Sequence, residues 1–175
     1  MIEAFVDESS RPGAYLLACI TVHPGAVNPA RAALRAMLLG GERRIHFVNE
    51  SPQRKRAILA SMATLDVRAS VYRTPGRSDR TRPRLIDAMV TDLFAMDVRR
   101  LVFESRAHLD VYDRRDLRRL RHSGLVSEAL LYDHMRPHEE PLLWVADAVA
   151  WAVGAGGGWR KRISAIIDDV VDVDP

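Results

Sequence analysis

The sequence predicts an α/β fold, with a mixed central sheet that opens on an antiparallel hairpin, is flanked by helices and gives way to a mostly helical C-terminal third. Three observations carry this reading: two apolar, β-compatible segments joined by a turn at the start, strands that then alternate with helical segments, and a late apolar helix. The chain has 175 residues, 47% of them apolar, enough for one core without disulfides. No internal repeat or composition break marks a second unit, so residues 1–175 are read as a single domain.

Residues 2–7 and 14–22 read as the hairpin strands, joined by Ser-Ser-Arg-Pro-Gly at 9–13. Asn28 as cap and Pro29 in the first turn predict a helix to about Leu39, stopped by Gly40-Gly41, and a short strand is expected through Ile45 and Phe47. Ser51-Pro52 caps a helix that aligns Ile58, Leu59, Met62 and Leu65. Val67, Ala69 and Val71 alternate with polar residues as a strand, an Arg-rich loop spans Thr74 to Pro83, and a helix carries Leu85, Ile86, Met89, Val90, Leu93 and Phe94. Leu101 to Glu104 is a further strand, 110–121 is highly charged, and helices are expected over 125–135 and 142–153, the second ended by the glycine run 154–158. The acidic stretch 168–174 fits a helix turn, a strand edge or a frayed end equally well.

No run of about 18 apolar residues and no charged leader with an apolar core is present, so a soluble, cytoplasmic protein without membrane contact is expected. Cys19, the single cysteine, sits among apolar residues and reads as a core side chain rather than a nucleophile. The net charge is only +3, but Lys55 and Lys161 are the only lysines among 26 basic residues. Arginine is the better fork for phosphate oxygens, although a solvated surface explains most of these side chains as well.

Phe5-Val6-Asp7-Glu8-Ser9 delivers acids where an apolar strand is expected to run out, and Leu101-Val102-Phe103-Glu104 repeats the arrangement. If the two strands are parallel neighbours, Asp7 and Glu104 meet at the edge where α/β sheets bind ligands. Asp147 interrupts Leu142-Leu143-Trp144-Val145-Ala146-Asp147-Ala148-Val149-Ala150-Trp151, a helix apolar nearly all round, where a charge needs a partner, an arginine or a bound cation. Three acids gathered in this way would need cations to stay ionised together, and hard oxygen donors suit Mg²⁺ or Mn²⁺. Two such ions about 4 Å apart can activate water and stabilise a leaving oxygen in phosphodiester hydrolysis.

Several weaker signals accompany these acids. His46 could contact metal or phosphate, or serve as a hydrogen-bonded structural residue. Trp159-Arg160-Lys161-Arg162 offers a backbone-contacting patch, or simply a solvated helix end. Pro137 between His134 and His138 breaks the helix that a zinc pair would need, and the glycines at 154–158 lack the pattern of a phosphate loop.

Phe-Val-Asp-Glu-Ser at the start, His46-Phe47 before a capped helix, Glu104-Ser105-Arg106 after a strand, and the 142–152 segment together resemble the domain-of-unknown-function family 3800 across nearly the whole chain. The resemblance implies a ribonuclease H-like fold and a metal-dependent nuclease, with the first-strand aspartate at Asp7 and the late-helix aspartate at Asp147. Where many relatives carry an acid two residues before the histidine, this chain has Arg44, so a fourth ligand is missing or is supplied by Glu8. The middle acid is expected to be Glu104, one strand later than in the simplest ribonuclease H order. The expected function is therefore hydrolysis of RNA or DNA by Asp7, Glu104 and Asp147, with Glu8 as a supporting metal ligand and His46, Arg106, Arg160 and Lys161 as supporting or substrate contacts. The rivals are an inactive nucleic-acid-binding or protein-interaction module on the same fold and, third, a toxin ribonuclease of the PIN class.

Overall fold

The computed structural model describes residues 1–76 and 81–174, so the 77–80 part of the expected Arg-rich loop lies outside the described residues. β1 (Ile2–Arg11) and β2 (Ala14–Val22) form the expected hairpin, in register from Glu3 opposite Val22 to Arg11 opposite Ala14. The turn is tighter than the composition suggested, because Gly13 takes φ +80°, a left-handed conformation that glycine adopts without a Cβ clash. Asp7 therefore lies within β1 and not at its end.

α1 (Pro24–Ala36) starts five residues before the expected Pro29, which falls inside it. Pro24 fills the first helical turn, and a buried stripe of Ala26, Val27, Ala30 and Leu34 holds the helix on the sheet despite the amide that Pro29 lacks. The expected strand through Ile45 and Phe47 is absent. Both side chains are buried and His46 between them is exposed, so the alternation is real, but it belongs to unpaired extended backbone entering a short 3-10 turn at Phe47–Asn49.

α2 (Pro52–Met62) is capped as predicted, with the Arg54 amide donating to Ser51 Oγ at 3.2 Å. Ser51→Ala should cost about 1 kcal/mol, read as a lower urea midpoint with an unchanged slope. β3 (Arg68–Pro75), α3 (Arg82–Ala95), β4 (Val98–Glu104) and α4 (Asp110–His122) follow.

The helix expected over 125–135 is a correction. Val126 and Leu130 plug the core from a loop, and Leu131–Met135 forms β5, an edge strand parallel to β4. Short apolar runs do not distinguish a helix from a strand by spacing alone. α5 (Leu142–Ala155) is as predicted, but the glycine run expected to end it lies largely within helices: Gly154 is in α5, Gly156 breaks it at φ +69°, and α6 (Gly157–Ile163) starts at once. The acidic tail resolves into β6 (Ile167–Asp172), parallel to β3.

The sheet has six strands in the order β5-β4-β1-β2-β3-β6, with β1 parallel to β4 and antiparallel to β2. Side chains that alternate along β1 fill two cores. Phe5 and Val102 point to the layer of α1, α2 and α5, while Val6 and Phe103 point to that of α3 and α4. No helix among the described residues is long and apolar enough to cross a membrane.

Candidate active site

Pleating puts Asp7 on the Phe5 side of β1 and Glu104 on the Val102 side of β4, both facing α5. The register pairs Val6 with Phe103, which sets Asp7 and Glu104 side by side on adjacent parallel strands. α5 packs across β1 and brings Asp147 over them. The three acids named from the sequence thus line one cleft of about 60 Å³, together with Arg44, His46 and Arg106. At roughly 10–15 Å³ for each water-sized occupant, the cleft has room for ions and a few waters.

Their electrostatics show the strain of this arrangement. Asp7 is 5% exposed, and burial first, then the charges of Glu104 and Asp147, push its carboxyl well above the ordinary range. Asp7 and Glu104 lie close enough to share a hydrogen bond, which adds to the rise of the Asp7 carboxyl. Glu104 is raised as well, chiefly by burial. Burial also raises Asp147, against the Phe47 amide, which donates to its Oδ2 at 3.1 Å. Three carboxyls raised together in one buried cleft form a site short of positive charge.

The unpaired segment before α2 forms the other wall. The two Nζ–H bonds of Lys55 hold it, donated to the carbonyls of Val48 at 2.9 Å and Glu50 at 2.7 Å. His46 faces the cleft and meets Asn49 Nδ2 through Nδ1 at 2.7 Å. With the amide nitrogen as donor, Nδ1 is the acceptor. A groove of about 430 Å³ continues from Asp147, His46 and Arg106 past Ser9 to Pro12 and Trp151.

Arg106 reaches Glu8 Oε1 at 2.9 Å and Asp7 Oδ1 at 3.5 Å, so it bridges the two faces of β1. Glu8 itself is a correction. It points to the α3 and α4 side, where it pairs with Arg82 and Arg106, and it lines the groove but not the cleft of the three acids. Alternation along a strand forbids consecutive residues to share a face. Arg160 and Lys161 lie exposed on α6 and line neither the cleft nor the groove.

Sequence reasoning missed a buried ionic group behind the cleft. Arg82 forks onto Asp113 with two bonds of 2.8 Å, donates to the Tyr15 hydroxyl at 3.0 Å and touches Glu8. His134 Nε2 meets Asp113 at 3.3 Å, and its ring stacks on Phe103. Burial would raise Asp113, but the bonds from Arg82 and His134 outweigh it and hold the carboxyl below its ordinary value. The sequence signal was the 110, 113, 116 spacing, which sets three aspartates on the same side of a helix as Leu117 and Leu120.

The chain superposes on the solved structure of the complex of PCNA with RNase HII from Archaeoglobus fulgidus, with a TM-score of 0.59 and 15% identity over 89% of this chain and 73% of that one. The fold is ribonuclease H-like. In this ribonuclease H-like frame the acids sit on the central β1, its parallel neighbour β4 and the helix α5 that crosses them. No protein-family model matches the chain, and no curated protein sequence does. Among the described residues, no group of three or more His, Cys, Asp or Glu side chains is arranged to hold a metal ion as it stands. The residues that could do so are Asp7, Glu104 and Asp147, whose all-oxygen donor set suits a hard divalent cation.

Proposed function

We propose that the protein is a metal-dependent nuclease of the family 3800 kind, hydrolysing phosphodiester bonds of RNA or DNA at the cleft of Asp7, Glu104 and Asp147. The observation that carries this reading is the convergence of three carboxylates from three separate elements in one cleft, where burial raises all three and repulsion from neighbouring acids adds to it at Asp7 and Glu104. Such an arrangement destabilises the protein unless cations complete it. Mg²⁺ or Mn²⁺ held by these acids would supply Lewis acidity and an activated water. Loading would favour the ionised forms of these raised carboxyls. Arg106, 39% exposed and already loosely placed beside Asp7, is within the cleft to grip a phosphate oxygen, and His46 lines the same cleft.

A specific observation supports the rival of an inactive binding module: no formed ligand group exists among the described residues, and Arg44 stands in the cleft wall. One experiment separates the two. Labelled single- and double-stranded RNA and DNA are incubated with wild type and Asp147→Asn in Mg²⁺, Mn²⁺ or EDTA. Cutting that needs metal and drops by roughly a thousandfold or more in the variant supports the nuclease. Binding without cutting, equal in EDTA and equal in the variant, favours the module.

A further inference from the structure

α4 sorts its charges by face. Its sequence from Asp110 to His122 holds three aspartates and five arginines, which looks like an ordinary mixed-charge helix. All three aspartates are buried: Asp110 bonds the Arg106 amide and the Ser105 hydroxyl, Asp113 takes Arg82, and Asp116 faces inward beside them. Arg114, Arg115, Arg118 and Arg119 are exposed. The negative charge is thus spent inside the protein, and the outer face is nearly pure arginine.

Ion pairing does little to neutralise this face. Arg119 reaches Asp87 at 2.6 Å, and Arg115 comes only within 3.8 Å of Asp116 while lying over the exposed Tyr112 ring. Arg114 and Arg118 have no carboxylate partner among the described residues, and the Arg118 Nε–H merely donates to the Arg114 carbonyl. Arginines at positions 114, 115, 118 and 119 follow the one-turn spacing that aligns side chains along a helix. The helix is about 20 Å long at 1.5 Å per residue. It starts six residues after Glu104, at the same end of the sheet as the cleft, and runs back along β4 to reach the parallel β5.

We propose that the outer face of α4 is a binding surface for the phosphate backbone of a nucleic acid, which engages the polymer beyond the bond at the cleft. The inference deepens the nuclease reading and takes its polymer from it, but the surface and its residues are separate from the three acids. Planar guanidinium forks in a row fit phosphate oxygens, and Tyr112 gives the stripe an exposed ring near its start. The surface would make the protein favour long polymers over short oligonucleotides.

The test uses fluorescence anisotropy with labelled single-stranded and duplex DNA and RNA of about 20 nucleotides, in EDTA, across a salt series. Wild type is compared with Arg114→Glu/Arg118→Glu and with Arg35→Glu/Arg56→Glu, which makes the same charge change on exposed positions of α1 and α2. Melting curves confirm that each is folded, and Arg114→Gln/Arg118→Gln repeats the test without new negative charge. The expected result is at least tenfold weaker binding for the α4 variants alone, with a salt slope shallower by about 0.7–0.9 for each phosphate that is no longer neutralised. Equal weakening by the control pair would mean a net-charge effect and overturn the proposal, as would unchanged binding in the α4 variants or no binding of any nucleic acid by wild type. Metal-dependent cutting with unchanged α4 binding would remove this surface and leave the nuclease. Binding abolished through α4 without any cutting would do the reverse.

Discussion

Asp7→Asn should gain stability in metal-free buffer and, if the cleft is a nuclease site, should lose cleavage by roughly a thousandfold or more. The two effects have one cause. Asp7 is buried beside two other acids, and its carboxyl titrates well above the ordinary range because of burial first and repulsion second. In the unfolded chain the same group has a pKa of about 3.9. Below that value both states hold the proton and the fold is not penalised. As pH rises towards the folded value, the native state keeps a proton that the unfolded state has released, and stability falls by about 1.4 kcal/mol per pH unit for each such proton. In EDTA, wild type should therefore lose stability from about pH 4 upward, and Asp7→Asn should lack that part of the slope. Urea unfolding from pH 4 to 8 measures it directly. Parallel curves for the two proteins would sink the account, whatever the cleavage assay says.

Metal should reverse the order. A cation that binds only the folded protein adds about 2.7 kcal/mol at a concentration of one hundred times its Kd. Mn²⁺ should raise the melting temperature of wild type at pH 7 and leave Asp7→Asn nearly unmoved. Stabilisation of both to the same extent would place the metal elsewhere.

The second large effect is structural. Arg82→Met should cost about 3–5 kcal/mol, because it leaves Glu8 and Asp113 buried without the guanidinium that joins them. Arg82 also ties α3 to α4 and, through Tyr15, to β2, so its loss loosens one whole layer. The pH dependence has the opposite sign to that of Asp7. Asp113 is held below its ordinary value, so its contribution is present above the unfolded pKa and disappears as acid protonates it. The gap between wild type and Arg82→Met should consequently narrow as pH falls below about 4. A gap that stays constant down to pH 3 would mean that packing over Phe103, not charge pairing, dominates.

How much of this was legible in the sequence depends on whether the signal was local. Asp7, Glu104 and Asp147 each contradict their own surroundings, an acid in an apolar strand or helix, and such conflicts are visible one segment at a time. That they share a cleft needed two further facts, the parallel pairing of β1 and β4 and the packing of α5 across β1. The mixed sheet flanked by helices followed in the same way from strands and helices taken in order, whereas its ribonuclease H-like character was implied by the family resemblance. Arg82 gave no such signal. It stands in a run of arginines beside a proline, and only the distant Asp113 and Glu8 make it a buried residue. β5 and β6 were misread or left open for the same reason, since an edge strand takes its identity from the neighbour it pairs with. Glu8 failed on the simplest rule of all, the alternation of side chains along a strand.

The two walls of the cleft are anchored very differently. β1 is hydrogen-bonded on both sides, to β2 and to β4, so Asp7 moves only when the sheet moves. The segment carrying Arg44 and His46 has no strand partner and is held by side chains: the Lys55 bonds, the Arg54 pairs with Glu42 and Glu50, and the buried Ile45 and Phe47, whose amide bonds Asp147. Amide exchange should thus be slowest along one jaw and faster along the other, Phe47 excepted. Residues can be inserted or removed around Gly40 without disturbing the register that seats Asp7, and that makes the segment the natural place for this scaffold to acquire a different substrate opening while its carboxylates stay where they are.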